Sequence, residues 1–195
     1  MKNILITPNY VNKETQLDPA WLKMLNRTNN TVYEYSTMPT TSNNYDVLLL
    51  TGGNDIVGYE RQNSADVERD TAETALIQEF IIAGKPIIGI CRGAHLLNLY
   101  FDGTLEPIVN HDGQFHMLKS INSYQPGLSM VLSYHRWAIQ QLGENLSATW
   151  LASKDDTIEA FEHQTLPIYG ILWHPERTPY GFIPNKIKDI LCLNY

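Results

Sequence analysis

The chain has 195 residues, 43% of them hydrophobic and 18% charged, and its formal net charge is −7. This composition is typical of a globular protein, and the length suits one domain, residues 1–195, rather than two. An acidic chain lacks the basic surface that binding to phosphate backbones requires, so we expect no nucleic-acid partner.

No run approaches the roughly 20 apolar residues that cross a bilayer, and the N-terminal residues do not follow the pattern of a signal peptide. We therefore expect no membrane partner and no export. The two cysteines, Cys91 and Cys192, are then expected to be reduced thiols in a cytoplasmic protein.

The first half of the sequence alternates apolar runs with amphipathic segments. Apolar or β-branched runs predict strands at 3–7, 31–35, 45–53 and 85–90. Apolar residues at helical spacing predict helices over 17–28, 66–84 and 92–101. Strands and helices that alternate in this way predict an α/β fold with a mostly parallel central sheet and helices on both faces.

The second half of the sequence is richer in strands. Alternating or continuous apolar runs predict strands at 115–121, 130–135, 146–153, 157–163 and 168–174. We expect them to add a small antiparallel annex to the parallel sheet within the same domain.

Residues 89–93, G-I-C-R-G, join a predicted strand directly to a predicted helix. The segment matches the G-x-nucleophile-x-G pattern, in which a sharp turn presents a nucleophile at the carboxyl edge of the sheet. The free N–H groups and the dipole at the start of the helix favour the thiolate form of Cys91. The alternative is a buried structural cysteine that packs as a small hydrophobe, which is our interpretation of Cys192.

A cysteine nucleophile needs a base that also protonates the leaving group, and a third residue that orients the base. His174 ends a predicted strand and is followed by Pro175, which stops the strand, and by Glu176. His174 and Glu176 therefore point toward the same edge of the sheet and are candidates for the base and the orienting acid. The alternative is a surface histidine in a loop.

Acyl transfer also requires hydrogen-bond donors for the developing oxyanion. The buried run that ends at Thr51 is followed by Gly52 and Gly53, whose backbone N–H groups are unobstructed by side chains. The N–H groups of Gly53 and Arg92 are the candidate donors, although an ordinary strand-to-loop turn would also explain paired glycines.

These motifs resemble the class I glutamine amidotransferase-like superfamily, and within it the γ-glutamyl hydrolase branch. The resemblance runs from about Asp46 to Arg177 and is most specific in the turn G-I-C-R-G at 89–93 and in W-H-P-E-R at 173–177. It implies a flavodoxin-like three-layer fold and a Cys–His–Glu triad at Cys91, His174 and Glu176. It also implies the same oxyanion donors, Gly53 and Arg92, and no cofactor.

The same resemblance places the substrate against six positions: Gly52, Asn54, His95, Ser133, Tyr134 and His135. The segment 133–135 matches the N-S-x-H segment of the branch, which lies beside the γ-glutamyl group. Three residues depart from the pattern: His95 replaces the usual glutamine, Leu132 the usual asparagine, and Asp102 a frequent glycine. No Cys or His spacing resembles that of a zinc site, so we expect no metal.

The resemblance implies a small γ-glutamyl conjugate as substrate, hydrolysed through a γ-glutamyl thioester. The segments T-G-G-N-D, N-H-D-G-Q-F-H-M-L and S-Y-H resemble those of a small bacterial member of the branch that acts on γ-glutamyl-CDP-amidate. This resemblance favours γ-glutamyl-CDP-amidate as substrate over γ-glutamyl-γ-aminobutyrate and folate polyglutamates. The basic groups available to such an anionic substrate are Arg92, His95, His111, His116, His135 and Arg136. His111 and His116 could instead hydrogen-bond within a loop.

Two other functions stay open at this point. One is the glutaminase subunit of an amidotransferase, which would deliver ammonia to a separate synthase partner because the chain carries no synthase domain. The other is a non-catalytic binding protein on the same fold. A homodimer is also left open by the sequence.

Overall fold

The computed structural model describes residues 1–35, 41–53, 56–59, 64–121, 128–178 and 181–193. The strands in chain order are β1 (Asn3–Thr7), β2 (Asn9–Val11), β3 (Glu14–Gln16), β4 (Asn29–Val32), β5 (Val47–Leu50), β6 (Ile87–Ile90), β7 (Thr104–Pro107), β8 (Asp112–Ser120), β9 (Leu128–Tyr134), β10 (Trp137–Gln141), β11 (Leu146–Ala152), β12 (Ile158–His163) and β13 (Ile168–Ile171). The helices are α1 (Pro19–Met24), α2 (Ser64–Ile82), α3 (Arg92–Tyr100) and α4 (Asn185–Ile190), with a 3-10 turn at Pro175–Arg177.

Eleven of the described strands form one sheet, whose main path runs β4-β1-β5-β6-β13-β12-β11-β8-β9. The strands from β4 to β13 are parallel. Numbered by their order in the chain, these five have the order 2-1-3-4-5, which is that of flavodoxin-like folds. The remaining strands continue the sheet in antiparallel fashion from β12, with β10 and β7 as a side branch. The predicted α/β fold with a parallel centre and an antiparallel annex is confirmed.

Alternate residues of the parallel strands enter two separate cores. Leu5 and Leu48, which are register partners, pack with residues of α2 and α3. Their neighbours Ile4 and Val47, also register partners, pack with residues of α1 and α4. Because successive side chains of a strand point to opposite faces, a continuous apolar run buries both faces of the sheet. Each such buried aliphatic side chain stabilises the fold by about 1.5–3 kcal/mol.

The structure shifts several predicted boundaries. The helix predicted over 17–28 occupies only Pro19–Met24. It begins as the sequence indicates, because the Asp18 carboxylate accepts the N–H of Ala20 at 2.9 Å and proline occupies the first turn. The strand predicted at 31–35 lies at Asn29–Val32. The short elements β2, β3, β7, β10 and α4 were not predicted, because three to six residues are too few to show a periodic pattern.

The first turn of α3 lies directly against the backbone of the sheet. A Cβ atom on Gly93 would lie 2.4 Å from the carbonyl oxygen of Leu50, at the end of β5. A Cβ atom on Gly89 would lie 2.6 Å from the carbonyl carbon of Gly93. Both distances are far below van der Waals contact, so only glycine permits this approach. The carboxyl ends of β5 and β6 and the start of α3 are thereby brought together at one edge of the sheet.

We expect Gly93→Ala to destabilise the protein by about 2 kcal/mol, because the added methyl group meets backbone that cannot move freely. Alanine otherwise favours a helix over glycine by about 1 kcal/mol, so a net loss in the free energy of unfolding, measured in urea, isolates the clash. Gly84→Ala is the control, because a Cβ atom there would meet nothing within 4 Å. The φ of Gly84 is +63°, so the substitution should lower the free energy of unfolding only through backbone strain, by about 1 kcal/mol. A Gly93→Ala protein as stable as the parent would contradict the close approach.

Candidate active site

Cys91 is the junction between β6 and α3. Its φ of 51° and ψ of −108° are unusual for a residue with a side chain, and such strain costs about 1–3 kcal/mol. Its N–H donates to the carbonyl oxygen of Ile171 at 2.8 Å, and its own carbonyl accepts the N–H of His95 at 3.0 Å. The cysteine is 7% exposed. The strained turn is therefore held from both sides and leaves the thiol at the carboxyl edge of the sheet.

His174 approaches Cys91 from the neighbouring strand, three residues beyond the end of β13. Its Nδ1 lies 2.7 Å from Oε1 of Glu176, so the ring N–H donates to the carboxylate and Nε2 is left on the far side. A Cβ atom on Gly52 would lie 2.7 Å from Cε1 of His174 and 3.4 Å from both Nε2 of His174 and Cβ of Cys91. The imidazole and the cysteine therefore meet beneath Gly52.

The environment of His174 favours its protonated form. Burial lowers the pKa of the imidazole, but attraction to Cys91, the hydrogen bond to Cys91 and the contact with Glu176 outweigh burial and raise the pKa to about 9. His174 is therefore an imidazolium at neutral pH. A buried cation beside a cysteine is the charge arrangement of an activated thiol.

Arg69 holds the Gly52-Gly53 turn in place from α2. Its guanidinium donates to the carbonyl oxygens of Thr51 at 2.9 Å, Gly52 at 3.1 Å and Gly53 at 3.3 Å. Because a trans peptide points its N–H opposite to its carbonyl, the N–H of Gly53 faces away from Arg69. Gly53 also lines the same cleft as Cys91. The turn can therefore direct this N–H toward an atom bound to the cysteine.

The backbone of Arg92 begins α3, whereas its side chain pairs with carboxylates of α2. As the first residue of α3, it has an N–H without an acceptor inside the helix. Its guanidinium is buried and paired with the carboxylates of Asp70 and Glu73. Both terminal nitrogens of this guanidinium are thus engaged by carboxylates of α2, and only its Nε has no partner among the described residues for an anionic substrate to use.

Glu73 joins the two arginines. Its Oε1 accepts from Nε of Arg69 at 2.9 Å, and its Oε2 accepts from Arg92. Burial raises the pKa of Glu73, but the two guanidinium groups outweigh burial and the pKa is lowered. Of the charged residues in this network, Arg69, Asp70 and Glu73 were not singled out from the sequence. The available signal was the i, i+4 pair of Arg69 and Glu73 on the buried face of α2.

The predicted substrate positions are only partly brought together. Gly53, His95, Tyr134 and His135 line, with Cys91, a cleft of about 170 Å³. Gly52 lines an adjoining cavity of about 390 Å³ together with His174 and Glu176. Asn54 lies outside the described residues.

Three of these side chains have distinct surroundings. Ser133 is fully buried, and its hydroxyl lies 2.8 Å from Nε2 of His116 instead of facing the cleft. Burial, followed by the proximity of His135, lowers the pKa of His95 to about 3, so this imidazole is neutral. Tyr134 places its ring edge against His174, with centroids 5.6 Å apart, and Arg177 stacks over the same ring at 4.7 Å.

The other basic groups proposed for an anionic substrate divide into two sets. His111 and His116 line a different cavity and lie near Glu159. Arg136 is exposed and lines the Cys91 cleft. The sequence could not separate the two sets, because the pairing of distant strands decides which cavity each residue lines.

Comparison with known proteins identifies the family. The sequence matches the glutamine amidotransferase class-I family over residues 21–192. The chain belongs to this family. It is 38% identical over 130 residues to the γ-glutamyl-CDP-amidate hydrolase of Campylobacter jejuni. That match covers 67% of this chain and 62% of the Campylobacter protein. It is 33% identical over 158 residues to the glutamine amidotransferase-like protein YvdE of Lactococcus lactis, covering 68% of this chain and 66% of that protein.

The matched region thus spans slightly less than two thirds of these two relatives. Among solved structures, a protein of Thermoplasma acidophilum described as a GMP synthase subunit superposes with a TM-score of 0.75. The two are 19% identical, and the match covers 98% of this chain and 92% of that one. This likeness concerns the fold, and it agrees with membership of the class-I family. Among the described residues, no helix is long and apolar enough to cross a membrane.

We expect Cys91→Ala to move the pKa of His174 downward from about 9. Removing the attraction to Cys91 leaves burial, which opposes the imidazolium, so the proton leaves at lower pH. The measurement is an NMR titration of the His174 ring nitrogens. Cys192→Ala, which alters the other cysteine, should leave this titration unchanged. A His174 pKa that is equal in the Cys91→Ala and parent proteins would rule out the contact.

We expect Glu73→Gln to lower the free energy of unfolding by about 3 kcal/mol, because it leaves two buried guanidinium groups without their shared carboxylate. Glu79→Gln alters an exposed residue of the same helix and should change stability by less than about 0.5 kcal/mol. Urea unfolding of both variants makes the comparison. Equal stabilities would mean that Glu73 contributes no more than a surface charge.

Proposed function

We propose that the chain hydrolyses a γ-glutamyl amide, with Cys91 as nucleophile, His174 as general acid and base, and Glu176 as the residue that orients His174. The observation that carries the proposal is the meeting of Cys91 and His174 beneath Gly52, with Glu176 2.7 Å from the far nitrogen of the imidazole. Nucleophile, base and orienting acid in this relation are what acyl transfer through a covalent intermediate needs.

The first half-reaction forms a thioester. The sulfur of Cys91 attacks the γ-carbonyl carbon, and the carbonyl electron pair moves onto oxygen. The N–H groups of Gly53 and Arg92 donate hydrogen bonds to that oxyanion. His174, protonated at neutral pH, gives its proton to the departing nitrogen as the C–N bond breaks. The products are the free amine or amidate and a γ-glutamyl thioester on Cys91.

The second half-reaction restores the enzyme. His174 is now neutral, and it removes a proton from a water molecule as the water oxygen attacks the thioester carbon. The C–S bond breaks, glutamate leaves, and the thiolate again faces an imidazolium. One proton thus moves from His174 to the leaving group and is replaced from water, so the cycle needs no further reactant.

The size of the cleft bears on the substrate. Its volume of about 170 Å³ is below the roughly 300–1,000 Å³ of sites that enclose a drug-sized ligand. A glutamyl group suits such a cleft, with the leaving group outside it near the exposed Arg136. The 38% identity to the Campylobacter hydrolase supports γ-glutamyl-CDP-amidate as the first substrate to test, and γ-glutamyl-γ-aminobutyrate is the second.

Membership of the glutamine amidotransferase class-I family favours one alternative, a glutaminase that delivers ammonia to a separate synthase. The two functions use the same attack on a γ-carbonyl and differ in the leaving group. Glutaminase activity that appears only when a synthase partner is added would favour the alternative. Release of glutamate from a conjugate by the chain alone would favour the hydrolase.

We expect Cys91→Ala to lower kcat for glutamate release by at least about 10³-fold while the protein stays folded, because the thioester cannot form. The assay follows glutamate and the second product across a panel of γ-glutamyl conjugates that includes glutamine. Cys192→Ala removes the only other cysteine and should retain parental turnover. Hydrolysis that survives Cys91→Ala would refute the assignment of the nucleophile.

A further inference from the structure

A second group of titratable side chains lies apart from the Cys91–His174 contact. We call it the histidine–glutamate cluster; it consists of His111, His116, His135 and Glu159. One ligand atom from each residue lies within 4.8 Å of the other three. The residues come from the start of β8, from β8 itself, from the β9–β10 connection and from β12. Nothing in the proposed hydrolysis uses this arrangement.

Glu159 is the acidic member and is fully buried. A buried carboxylate costs several kcal/mol unless positive charge or directed hydrogen bonds compensate it. Neither of its oxygens has a partner in hydrogen-bond geometry among the described residues.

The two nearest nitrogens are close without being hydrogen-bonded. Nδ1 of His111 lies 3.0 Å from Oε1 of Glu159, and Nε2 of His135 lies 3.4 Å from the same oxygen. Both nitrogens lack a partner in hydrogen-bond geometry, so these contacts are off the N–H axis. A carboxylate and two imidazoles that converge without sharing protons point to a cation between them.

The opposite nitrogens of these rings are engaged by acceptors. Nε2 of His111 lies 3.0 Å from Oδ2 of Asp155, and Nδ1 of His135 lies 3.0 Å from the carbonyl oxygen of Trp137. Because carboxylate and carbonyl oxygens only accept, these nitrogens carry the ring protons. In the neutral rings the lone pairs are then on the nitrogens that face Glu159. Metal-binding histidines are oriented in this way by carboxylate and carbonyl partners.

His116 completes the set. Its Nε2 lies 3.7 Å from Oε2 of Glu159 and 2.8 Å from the hydroxyl of Ser133, which can donate or accept. Ligands about 2.05 Å from a tetrahedral zinc ion are separated by about 3.3 Å. The contacts of 3.0 and 3.4 Å that His111 and His135 make with Oε1 of Glu159 bracket that separation, and His116 lies 3.7 Å from the other oxygen, Oε2. A cavity of about 610 Å³ lined by His111 and His116 gives an ion a path to the cluster.

We propose that the histidine–glutamate cluster binds one zinc-type divalent ion through three imidazole nitrogens and one carboxylate oxygen. Three imidazoles and a carboxylate suit zinc. The expectation of no metal rested on local Cys and His spacing, and it did not consider ligands drawn from separate strands. The ion compensates the buried charge of Glu159. It also links β12 to β8 and to the β9–β10 connection, because its ligands come from all three segments.

The role of the ion is structural and bears on the wall of the candidate active site. The backbone N–H of His135 donates to the carbonyl oxygen of His111 at 3.2 Å. The ion and this hydrogen bond therefore join the same two segments of the chain. Three residues earlier, within β9, the carbonyl oxygen of Leu132 accepts the backbone N–H of His174 at 3.0 Å. An ion at the cluster therefore fixes β9, which in turn supports the backbone of His174.

The test measures metal binding by the full chain, prepared without a histidine tag. After dialysis against metal-free buffer, the protein is titrated with Zn²⁺ while bound metal is counted, and with Co²⁺ while visible absorption reports coordination geometry. We expect one equivalent of either ion, with the strong absorption of four-coordinate Co²⁺. Glu159→Gln and His116→Gln should each weaken binding at least about 100-fold, since each removes a direct ligand.

Glu162→Gln is the matched control, because Glu162 lies on the same strand and pairs with Lys186 at 2.6 Å outside the cluster. It should keep one equivalent of metal, as should Cys91→Ala, so failure of the metal site and failure of the proposed hydrolysis are separate results. Excess Zn²⁺ should raise the unfolding temperature of the parent and not that of Glu159→Gln. A parent protein that binds no stoichiometric metal, or ligand variants that still bind it, would overturn the proposal in favour of protonated histidines.

Discussion

The contact between the first turn of α3 and the carbonyl oxygen of Leu50 determines where everything else in the site can lie. Gly93 permits it because any Cβ there would be 2.4 Å from that oxygen. With the helix so close, Cys91 must reverse the chain within one residue, at a φ of 51°. The N-terminus of the helix then lies at the carboxyl ends of β5 and β6. Backbone sterics set how close the Gly52-Gly53 turn can lie to the thiol, and the side chain of Arg69 holds the turn there.

Two buried charge clusters flank this junction, and their chemistry differs. On the α2 side, Arg69 and Arg92 share Glu73, and the guanidinium of Arg69 holds the backbone carbonyls of the turn. On the β9 side, imidazoles whose protons are directed outward converge on Glu159. The first cluster is compensated by its own side chains. The second has one carboxylate and no permanent cation among the described residues, which is why we assign it a metal ion.

Much of this architecture could be read from the sequence, because local patterns report local structure. The order of the longer strands and of the helices through α3 follows from apolar or β-branched runs that alternate with segments of helical spacing, whereas β2 and β3 are too short to show a pattern. The proximity of Cys91 and His174 follows from strands that end at one sheet edge. The direction of the Arg92 side chain could not be read, since its partners are on another helix. Glu159 was missed because an acid inside an alternating strand resembles a solvent-facing residue. Its three imidazole neighbours come from positions 24 to 48 residues earlier, and only tertiary pairing brings them together.

Gly52 carries a consequence for how this chain can change over generations. The space that a methyl group would need there is filled by the imidazole of His174, 2.7 Å away. Any descendant that acquires a side chain at this position must displace His174, although none of the residues proposed for catalysis has been altered. Codon 52 is therefore free to drift only among synonymous triplets while the active site stays assembled.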